Sequence, residues 1–585
     1  MKSKETSGSW KLGVTLWPGI LALAGVWMSI VPTASIFGQM GRGDVLSGKV
    51  TADQGVVRAF RVKAKDTVRK ITYTVFTNKG RYQIFNLPPG SYEVSALQAG
   101  FESPIQRVQL TAGEAKTADL ALKAKPPVAE SMAPVDFDHY FPPGPGRDVW
   151  MNRCSGCHGI RLTTFMPPRT AAGMFRTEED WRAAVGRMFD RGWGGNHKTP
   201  RMAGSITDAE RETLTKYLAD NFGPNSPRRD LKAEVPVYDE EALAGAIFTQ
   251  YELPSGRSAS GDNATVSAVN PSTIYVNADG PSIVAMDLNN LEFPGRYREW
   301  MLPQPKDGGN YYRPQHALNE VDGRIYWVEA LGSAVGELDP NTGKVTRYPS
   351  PGGAAPHTGF ADSKGRLWYN SLFAPHVVGM FDTKTKKIVE MDPSPSHKGG
   401  GYYDVIEGLN GLIYAAGSSN GVLPSFDPKT QKWTDHIPPE HRLNGSAEAT
   451  SRAPRRLATD SKGRIWFTMT GANAIGVFDP QTEKFKAYTI PVRYANPYAI
   501  QVDRDDNVWT DLAWAQPETF LGKFDSKTEK FSFYPYPNLR DHNAQLKIDQ
   551  RKETLWLGSG ESGQPRQLTS LKPKGNVPIQ TSRRQ

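Results

Sequence analysis

The segment Asp362-Ser363-Lys364-Gly365-Arg366-Leu367-Trp368 returns almost unchanged as Asp460-Ser461-Lys462-Gly463-Arg464-Ile465-Trp466. A second match follows each copy, Val378-Gly379-Met380-Phe381-Asp382 in one and Ile475-Gly476-Val477-Phe478-Asp479 in the other. Short apolar runs that end in Asp and Gly turns are typical of antiparallel strands. The chain therefore repeats one small β unit, and this repeat decides the architecture of its larger part.

Two marks of this unit recur from about residue 236 onward. The aromatic mark stands at Tyr275, Tyr326, Trp368, Tyr414, Trp466, Trp509 and Trp556. The turn aspartate stands at Asp287, Asp339, Asp382, Asp427, Asp479 and Asp525. Successive aspartates lie 52, 43, 45, 52 and 46 residues apart, the length of a four-stranded blade. Seven aromatic marks predict a seven-bladed β-propeller over residues 236–575.

The two ends of this region predict how the ring closes. The last unit keeps a third strand near Gln567-Leu568 but lacks an outermost strand. The segment Phe248–Pro254 precedes the first full unit and is similar to an outer strand such as Lys486–Pro491. Pairing of the two ends would close the ring and remove its exposed edges.

Composition limits the protein class. The 585 residues suggest roughly four domains. Hydrophobic residues make up 38% and charged residues 22%, which excludes a polytopic membrane protein and a fully disordered chain. We find no basic-aromatic nucleic-acid module, so a nucleic-acid partner is not expected. Only two cysteines are present, which excludes a secreted scaffold held by disulfides.

The N-terminus has the pattern of an export signal. Lys2, Lys4 and Lys11 precede an apolar run from Leu12 to Val31. We interpret residues 1–38 as a signal peptide or an N-terminal anchor, since the run is long enough to span a bilayer if it stays uncut. The prediction is an exported protein of the bacterial periplasm or the outer face of the inner membrane, with membrane or envelope attachment through the N-terminus left open.

Residues 43–125 contain short alternating strands separated by turns. Gly80 and Gly90 stand where a hairpin would need a positive φ, and Pro88-Pro89 cannot continue a strand ladder. The string from Gly80 to Phe101 resembles the carboxypeptidase regulatory-like domain, a prealbumin-like β-sandwich. That resemblance implies an accessory or docking module without catalytic residues. Residues 126–141 are proline-rich and are predicted to be a linker.

The two cysteines lie in Cys154-Ser155-Gly156-Cys157-His158. This spacing suits covalent attachment of haem through Cys154 and Cys157, with His158 as the proximal iron ligand. The alternatives are a redox dithiol, half of a zinc site or a disulfide. Zinc would need two more ligands, and the chain has no other cysteine. We therefore predict one covalent haem c and no other cofactor.

The residues around this motif resemble the class I cytochrome c family over about 142–225. A helix is predicted to run from Gly146 into Cys154. Thr177, with Asp180 three residues later, predicts a second helix whose apolar face carries Trp181, Val185 and Met188. A third starts at Thr207-Asp208-Ala209-Glu210, turns Leu214 and Leu218 inward and ends at Gly223-Pro224. Three helices around a haem is the fold that this resemblance implies.

The sequence offers three candidates for the distal iron ligand. The family takes a methionine from the loop before the last helix, and Thr199–Asp208 resembles that loop. Met202 is therefore the first candidate. Met188 is an alternative if 191–205 is an insertion, and His197 is a third. A thioether ligand would raise the reduction potential relative to a second imidazole.

The repeat resembles the virginiamycin B lyase (streptogramin lyase) propellers. In that family one blade carries Pro-His, a glutamate and a second histidine, which bind magnesium and open a lactone ring. Here Pro356-His357 is followed by Ser371 and Ala374 at the other two positions. The blade with Glu329 has Gln315 and Gly332 instead, with His316 adjacent to Gln315. Because the set is incomplete, the resemblance predicts the fold and leaves lyase activity doubtful.

Residues that follow the blade-start prolines form a candidate channel site. They are expected to converge on the central channel at one face of the ring, although solvated loop residues would show the same pattern. These positions are Gln315, His357, Tyr403, Arg455, Tyr498 and Gln545, with the neighbours His316, Asp404 and Arg456. A small-molecule or peptide ligand in the channel is the partner that this site predicts. Glu329 is retained as a further candidate.

Together these patterns predict a multidomain, mainly β chain. It would join a prealbumin-like β-sandwich, a small all-α cytochrome c domain and a seven-bladed β-propeller. The predicted function is electron transfer through one haem to an unknown redox partner. The alternative is a propeller-based enzyme, lyase-like or dehydrogenase-like, that uses the haem as its electron acceptor.

Overall fold

The structure is a computed structural model. It describes residues 45–125, 133–154, 176–186, 206–227, 229–232, 234–254, 259–278, 281–304, 306, 312, 314, 316, 318–372, 375–395, 401–418, 421–442, 450–512, 518–539, 546–559 and 567–578. Within these ranges, no helix combines the length and the apolar character that a bilayer span requires.

Residues 45–125 fold into short strands. They are β1 (Val45–Ala52), β2 (Arg61–Asp66), β3 (Ile71–Phe76), β4 (Arg81–Phe85), β5 (Gly90–Leu97), β6 (Phe101–Glu102), β7 (Gln106–Leu110), β8 (Ala115–Thr117) and β9 (Leu120–Ala124). One sheet has the order β4-β1-β9-β6, with β8 also beside β1, and the other contains β3-β2-β5-β7. Apolar side chains such as Leu46, Val62 and Val94 are fully buried in one core. The region is β-sandwich-like, as the strand pattern predicts.

The two glycines singled out in this region differ in conformation. Gly80 lies in the hairpin between β3 and β4 with φ at 72°, as predicted. The prediction for Gly90 was wrong, because Gly90 starts β5 without a positive φ. A Cβ atom at Gly90 would lie 3.0 Å from Arg69 Nη1 and 3.2 Å from Asp66 Oδ2. Close side-chain packing, and not the turn, accounts for glycine there.

A helical unit follows the sandwich. Its elements are β10 (Ala133–Val135), α1 (Phe137–Tyr140), α2 (Pro145–Arg153), α3 (Glu178–Gly186), α4 (Asp208–Phe222) and β11 (Arg229–Leu231). β10 and β11 pair in parallel. Trp150, Trp181, Val185, Leu214 and Leu218 are buried in the core of this unit. The faces that the sequence assigned to the interior of the second and third predicted helices, now α3 and α4, are therefore buried as far as they are described.

Local capping explains where two of these helices begin. The Thr177 hydroxyl accepts the backbone N–H of Asp180 at 3.2 Å, and the Asp180 carboxylate accepts the N–H of Thr177 at 3.0 Å. Thr207 and Glu210 form the same reciprocal pair at the start of α4, which ends at Gly223. Each reciprocal pair satisfies two backbone donors that a helix start would leave exposed.

Part of the segment predicted as a linker, 126–141, is folded. Phe137, Tyr140 and Phe141 lie in the core of the helical unit, each at most 2% exposed. The proline-rich composition hides this, because three aromatic residues close together at the C-terminal end of the segment supply the buried surface. The strand β11 likewise extends the unit beyond residue 225.

Six four-stranded antiparallel sheets and four strands of a larger sheet make up most of the rest of the described chain, and we call these seven units blades 1–7. Before them come α5 (Glu240–Ala244) and β12 (Ile247–Glu252). Blade 1 is β13 (Ala259–Val266), β14 (Thr273–Ala278), β15 (Ser282–Asp287) and β16 (Tyr297–Met301); blade 2 is β17 (Asn319–Val321), β18 (Arg324–Glu329), β19 (Ala334–Leu338) and β20 (Val345–Pro349). Blade 3 is β21 (Pro356–Ala361), β22 (Arg366–Ser371), β23 (Val378–Asp382) and β24 (Ile388–Met391); blade 4 is β25 (Val405–Glu407), β26 (Ile413–Ala415), β27 (Leu423–Asp427) and β28 (Lys432–His436). A two-stranded sheet, β29 (His441–Arg442) with β30 (Thr450–Ser451), precedes blade 5, which is β31 (Leu457–Thr459), β32 (Ile465–Met469), β33 (Ala474–Asp479) and β34 (Lys484–Thr489). Blade 6 is β35 (Ile500–Val502), β36 (Asn507–Leu512), β37 (Phe520–Asp525) and β38 (Lys530–Pro535), and blade 7 is β39 (Leu546–Asp549), β40 (Thr554–Ser559), β41 (Gln567–Lys572) and β12.

The expected pairing of the two ends is present. β12 pairs antiparallel with β41, with Tyr251 opposite Leu568 and Glu252 opposite Gln567. The first strands of neighbouring blades also contact one another, including β39 of blade 7 against β13 of blade 1. The seven blades therefore form a closed, propeller-like ring.

The sandwich continues this ring at blade 7, which the sequence did not predict. β12 pairs with β41 on one side and with β3 of the sandwich on the other, where Gln250 lies opposite Thr72. One sheet of eight strands results, in the order β39-β40-β41-β12-β3-β2-β5-β7. The outer edge of blade 7 is thus covered by the sandwich.

Side chains strengthen this junction. Arg61 of β2 is 1% exposed and lies 3.3 Å from the Glu518 carboxylate, and its Nε donates to the Tyr536 carbonyl at 2.5 Å. Glu518 and Tyr536 flank the outer strands of blade 6. The sandwich therefore contacts two blades, and a buried charge pair holds it there.

The helical unit contacts the ring through Tyr494, in the connection from blade 5 to blade 6. Tyr494 is fully buried within the core of the helical unit, and its hydroxyl accepts the backbone N–H of Phe137 at 3.1 Å. The neighbouring Arg493 pairs with Glu234 at 2.6 Å and with Asp136 at 3.2 Å. This ring connection is therefore part of the core of the helical unit.

Candidate functional site

The first candidate site begins at the C-terminal end of α2. Cys154 caps this helix, and its backbone N–H donates to the Trp150 carbonyl at 2.8 Å. Its half-buried side chain packs against the core of the helical unit. The sequence prediction of a helix that runs into Cys154 is confirmed.

α2 is held against α4 by a close crossing. A Cβ atom at Gly146 would lie 2.1 Å from Cβ of Tyr217, so only glycine allows this approach. The Tyr217 hydroxyl donates to the Pro142 carbonyl at 2.9 Å, which fixes the segment just before α2. The crossing fixes the end of α2, and hence Cys154, relative to α4.

Trp150 leaves a polar group unsatisfied in this core. Its side chain is fully buried, and its indole N–H has no hydrogen-bond partner among the residues that the structure describes. Buried donors are nearly always satisfied, since an unmade hydrogen bond costs about 1–3 kcal/mol. An acceptor from a group bound against α2 would remove this cost.

The remaining predicted residues of this site lie outside the described residues. They are Cys157 and His158 of the motif and the three candidates for the distal position, Met202, Met188 and His197. The structure therefore gives the position of Cys154, and the haem-binding roles of all six residues stay predictions.

The second candidate site lies on the axis of the ring, and we call it the axial cluster: His316, His357, Thr358, Tyr403, Asp404, Arg455, Arg456, Tyr498 and Lys547. Its contacts join blades that are not neighbours. Arg456 of blade 5 donates to the Thr358 hydroxyl of blade 3 at 2.8 Å. The hydroxyls of Tyr403 in blade 4 and Tyr498 in blade 6 lie 2.5 Å apart. Side chains two blades apart can meet only near the axis, so the cluster crosses the central channel.

A histidine pair lies at one side of this cluster. His316 and His357 are each 5% exposed, and their Nε2 atoms are 3.1 Å apart. Such a contact needs one ring to donate and the other to accept. Burial lowers the pKa of His357 well below its usual value, and the charges of His316 and Arg456 lower it further. His357 is therefore uncharged at neutral pH.

Two adjacent arginines form the centre of the cluster. Arg455 and Arg456 are 1% and 2% exposed. The Arg455 guanidinium stacks 3.7 Å from the Tyr498 ring centroid, and its Nη2 donates to the Tyr403 hydroxyl at 2.8 Å. Aromatic faces stabilise both buried cations, since Arg456 also lies 4.9 Å from the Tyr403 ring centroid.

Asp404 and Lys547 complete the cluster. Asp404 lies 3.7 Å from Arg456 and accepts the backbone N–H of Leu457 at 3.0 Å. Burial raises the pKa of Asp404, and Arg456 opposes the shift. Lys547 of β39 is exposed, although its surroundings lower its pKa by desolvation while Asp404 raises it. Lys547 is therefore an exposed cation on the first strand of blade 7, within range of the Asp404 charge.

Seven of the ten residues proposed for the channel are thus in one cluster: His316, His357, Tyr403, Asp404, Arg455, Arg456 and Tyr498. Glu329 is not part of it. Its carboxylate accepts the Trp327 indole N–H at 3.1 Å and pairs with Arg347 of its own blade at 2.6 Å. Gln315 lies outside the described residues, as does Gln545.

Sequence reasoning missed Thr358 and Lys547. Thr358 follows His357 directly in β21, and its hydroxyl accepts the hydrogen bond from Arg456 at 2.8 Å. Lys547 stands two positions after Gln545, so the period-two alternation of a strand could have pointed to it.

A lyase-type metal set does not assemble among the described residues. No three or more His, Cys, Asp or Glu side chains there come close enough to hold a metal ion. The Ser371 hydroxyl, which stands at the glutamate position of the blade with His357, donates to the Ala355 carbonyl. Glu329 is paired with Arg347.

Comparison with known proteins matches parts of the chain. The carboxypeptidase regulatory-like domain family matches residues 45–123. No curated protein matches the sequence. A catalytically inactive virginiamycin B lyase from Staphylococcus aureus, solved with quinupristin, is similar at 17% identity and a TM-score of 0.46, covering 56% of this chain and 99% of the lyase.

Two further solved structures show a similar coverage. A streptogramin B lyase is 18% identical, with a TM-score of 0.45 over 56% of this chain and 97% of its own. The extracellular domain of a one-component system from B. thetaiotaomicron is 13% identical, with a TM-score of 0.40 over 55% of this chain and 39% of its own. Residues 45–123 therefore match the carboxypeptidase regulatory-like domain, and the chain is similar in structure to the virginiamycin B lyase-type β-propeller.

Proposed function

We propose that the protein is an exported c-type cytochrome that transfers electrons through one covalently bound haem. Cys154 and Cys157 would hold the haem through thioether bonds, and His158 would ligate its iron. Met202 is our first choice for the opposite axial position. The haem would supply one-electron chemistry.

The observation that carries this proposal is the Cys-x-x-Cys-His motif at the end of a fixed helix. α2 ends at Cys154, and its crossing with α4 at Gly146 and Tyr217 fixes that end. The indole N–H of the fully buried Trp150 has no partner in the described part of the chain. A haem bound against α2 brings acceptor oxygens in its propionates, so this core fits the group.

The chain's own residues then have simple roles. His158 and Met202 would both ligate the iron, and a haem held in this way would supply electron transfer rather than oxygen chemistry. The buried aromatic residues Trp150, Trp181 and Tyr217 would exclude water from one side of the group. Electron transfer to a redox partner is the function that this arrangement favours.

The test is the visible spectrum of the full chain produced in a bacterial periplasm with c-type haem maturation. We expect a Soret band in the wild-type protein and its loss in Cys157→Ser. Met202→Ala should lower the reduction potential and change the spectrum. An unchanged potential would transfer the distal role to Met188 or His197, and a wild-type chain without a Soret band would overturn the proposal.

A second candidate function is a propeller-based enzyme that passes electrons from a channel substrate to the haem. It is favoured by the contact between the helical unit and the ring. Phe137 stacks on Tyr494 with ring centroids 6.4 Å apart, and four residues later Tyr498 enters the axial cluster. Substrate-dependent reduction of the haem under anaerobic conditions would support the enzyme, and its absence with periplasmic extracts would favour the electron carrier.

The N-terminal pattern supports the compartment. Since c-type haem is attached outside the cytoplasm, a signal or anchor at residues 1–38 agrees with a periplasmic protein. Detection of the protein in the soluble periplasmic fraction would indicate cleavage, and detection in the inner membrane would indicate an anchor.

A further inference from the structure

We propose that the axial cluster binds a small oxyanion, a carboxylate or a phosphate, between Lys547 and the guanidinium groups of Arg455 and Arg456. This site is separate from the haem motif and does not depend on it.

Arg455 and Arg456 lie on the axis of the ring. Arg456 reaches across blade 4 to Thr358 at 2.8 Å, and Arg455 contacts the Tyr403 hydroxyl at 2.8 Å. Elsewhere in the ring, Arg366 and Arg464 each pair with an aspartate in the loop between the first two strands of their own blade. Those arginines therefore stabilise single blades, whereas Arg455 and Arg456 face the shared centre.

Arg455, Arg456 and Lys547 contribute three positive charges to this part of the ring. The nearby buried carboxylates are Asp404 and Asp511, and the second of these accepts a hydrogen bond from the Tyr536 hydroxyl at 3.2 Å. The charges on Arg455 and Arg456 also help to keep the neighbouring His357 uncharged. The potential at the centre is therefore positive among the described groups.

Guanidinium groups present planar pairs of N–H donors that match carboxylate and phosphate oxygens. The Tyr403 and Tyr498 hydroxyls lie beside them and can donate as well. The aromatic rings hold the guanidinium planes in place, so little order has to be imposed when an anion binds.

Lys547 is exposed on the first strand of blade 7, and no hydrogen bond or ion pair holds its ammonium group among the described residues. Asp404 is the charge that acts on both Lys547 and Arg456. Lys547 is thus an exposed cation beside a buried pair of cations, a suitable first contact for an anion that enters the channel.

The test is calorimetric titration of the full holoprotein with inorganic phosphate and, separately, with succinate, each against sodium chloride at matched ionic strength. We expect saturable binding of at least one of the two probes, and the probe that binds identifies phosphate or carboxylate as the class. Binding of neither probe by the folded wild-type protein would overturn the proposal.

Two variants locate the site. Lys547→Met removes an exposed charge and should fold, and we expect it to weaken binding about tenfold or more. Arg455→Lys keeps the positive charge but loses the planar pair of N–H donors, and we expect the same weakening of anion binding. Lys484→Met, an exposed lysine on the outer strand of blade 5, is the matched control and should bind as the wild type does. Wild-type affinity in Lys547→Met would contradict the proposal.

The experiment also separates this site from the haem. Cys154→Ala/Cys157→Ala cannot attach haem, yet it should bind the anion with unchanged affinity. If the anion site fails while the Soret band is present, only the axial proposal is lost. If binding persists without a Soret band in the wild type, only the electron-transfer proposal is lost.

Discussion

A single aspartate in the loop between the first two strands of a blade organises that loop. Asp460 accepts backbone N–H groups of Lys462 and Arg464 at 3.0 and 2.9 Å. The same carboxylate accepts the Arg464 Nε–H at 2.6 Å and the Trp466 indole N–H at 2.9 Å. Asp362 makes the same four contacts in blade 3. The Asp and the Trp that begin and end the repeated seven-residue segment are therefore joined by one hydrogen bond.

We expect Asp460→Asn to destabilise the ring by about 1.5–3 kcal/mol. The amide keeps the shape but loses the charge that strengthens these bonds, and one of its two atoms cannot accept them. Urea unfolding followed by tryptophan fluorescence measures the change. Asp505→Asn, an exposed residue of the corresponding loop in blade 6, is the control and should stay within about 0.5 kcal/mol of the wild type.

The buried His357 should make stability depend on pH. Its pKa is lowered in the folded protein, so the unfolded chain binds more protons once the pH falls below the ordinary histidine pKa of about 6.5. The free energy of unfolding should then decrease as the pH falls from about 6.5, with a slope of at most about 1.4 kcal/mol per pH unit from this group.

His357→Gln isolates this effect, because His436 and His441 also have lowered pKa values and act in the same direction. We expect the variant to show a shallower slope between pH 6.5 and 5 in urea unfolding. An identical slope in both proteins would show that His357 is not held uncharged by the fold.

At the scale of elements, local signals predicted the helices well. Thr177 with Asp180 and Thr207 with Glu210 are short-range caps that any chain with these spacings can form, so the helix starts were readable. The role of Gly146 was not readable, because it depends on Tyr217, which is distant in the sequence. The folded end of the predicted linker was missed for the same reason, since Phe137 is buried by residues of other elements.

Gly146→Ala should destabilise the helical unit by about 1–3 kcal/mol, despite the better helix propensity of alanine. The added Cβ would clash with Cβ of Tyr217 and push α2 away from α4. The midpoint of thermal loss of the haem spectrum measures this effect. Asp148→Ala, exposed on the same helix, should shift the midpoint less, and the reverse order of the two variants would contradict the assigned crossing.

At the scale of the whole molecule, the repeat predicted the ring and its closing strand but not the eight-stranded sheet. The pairing of β12 with β41 follows from a missing outer strand, which can be counted in the sequence. The pairing of β12 with β3 joins two regions that share no repeat, so no sequence pattern predicts it. The axial cluster was partly predictable, because His357, Arg455 and Tyr498 directly follow blade-start prolines. The contacts across the axis depend on the closed ring.

We expect Gln250→Pro in β12 to lower the stability of the sandwich and of the ring together. Proline removes a backbone donor and cannot fit a strand that is paired on both sides. Limited proteolysis, with cleavage mapped to each region, measures the effect. Lys486→Pro lies on the outer strand of blade 5, which pairs on one side only, and it should expose the ring while the sandwich stays protected. Equal protection of the sandwich in both variants would show that the shared sheet does not couple the regions.

The most direct test of the proposed function is the intact mass of the mature protein, purified from a periplasm with c-type haem maturation and treated with a thiol-alkylating reagent. We predict the mass of the chain plus one haem, retained under denaturing conditions, with Cys154 and Cys157 unmodified by the reagent. A chain without added haem mass that is alkylated at both cysteines would contradict the proposal.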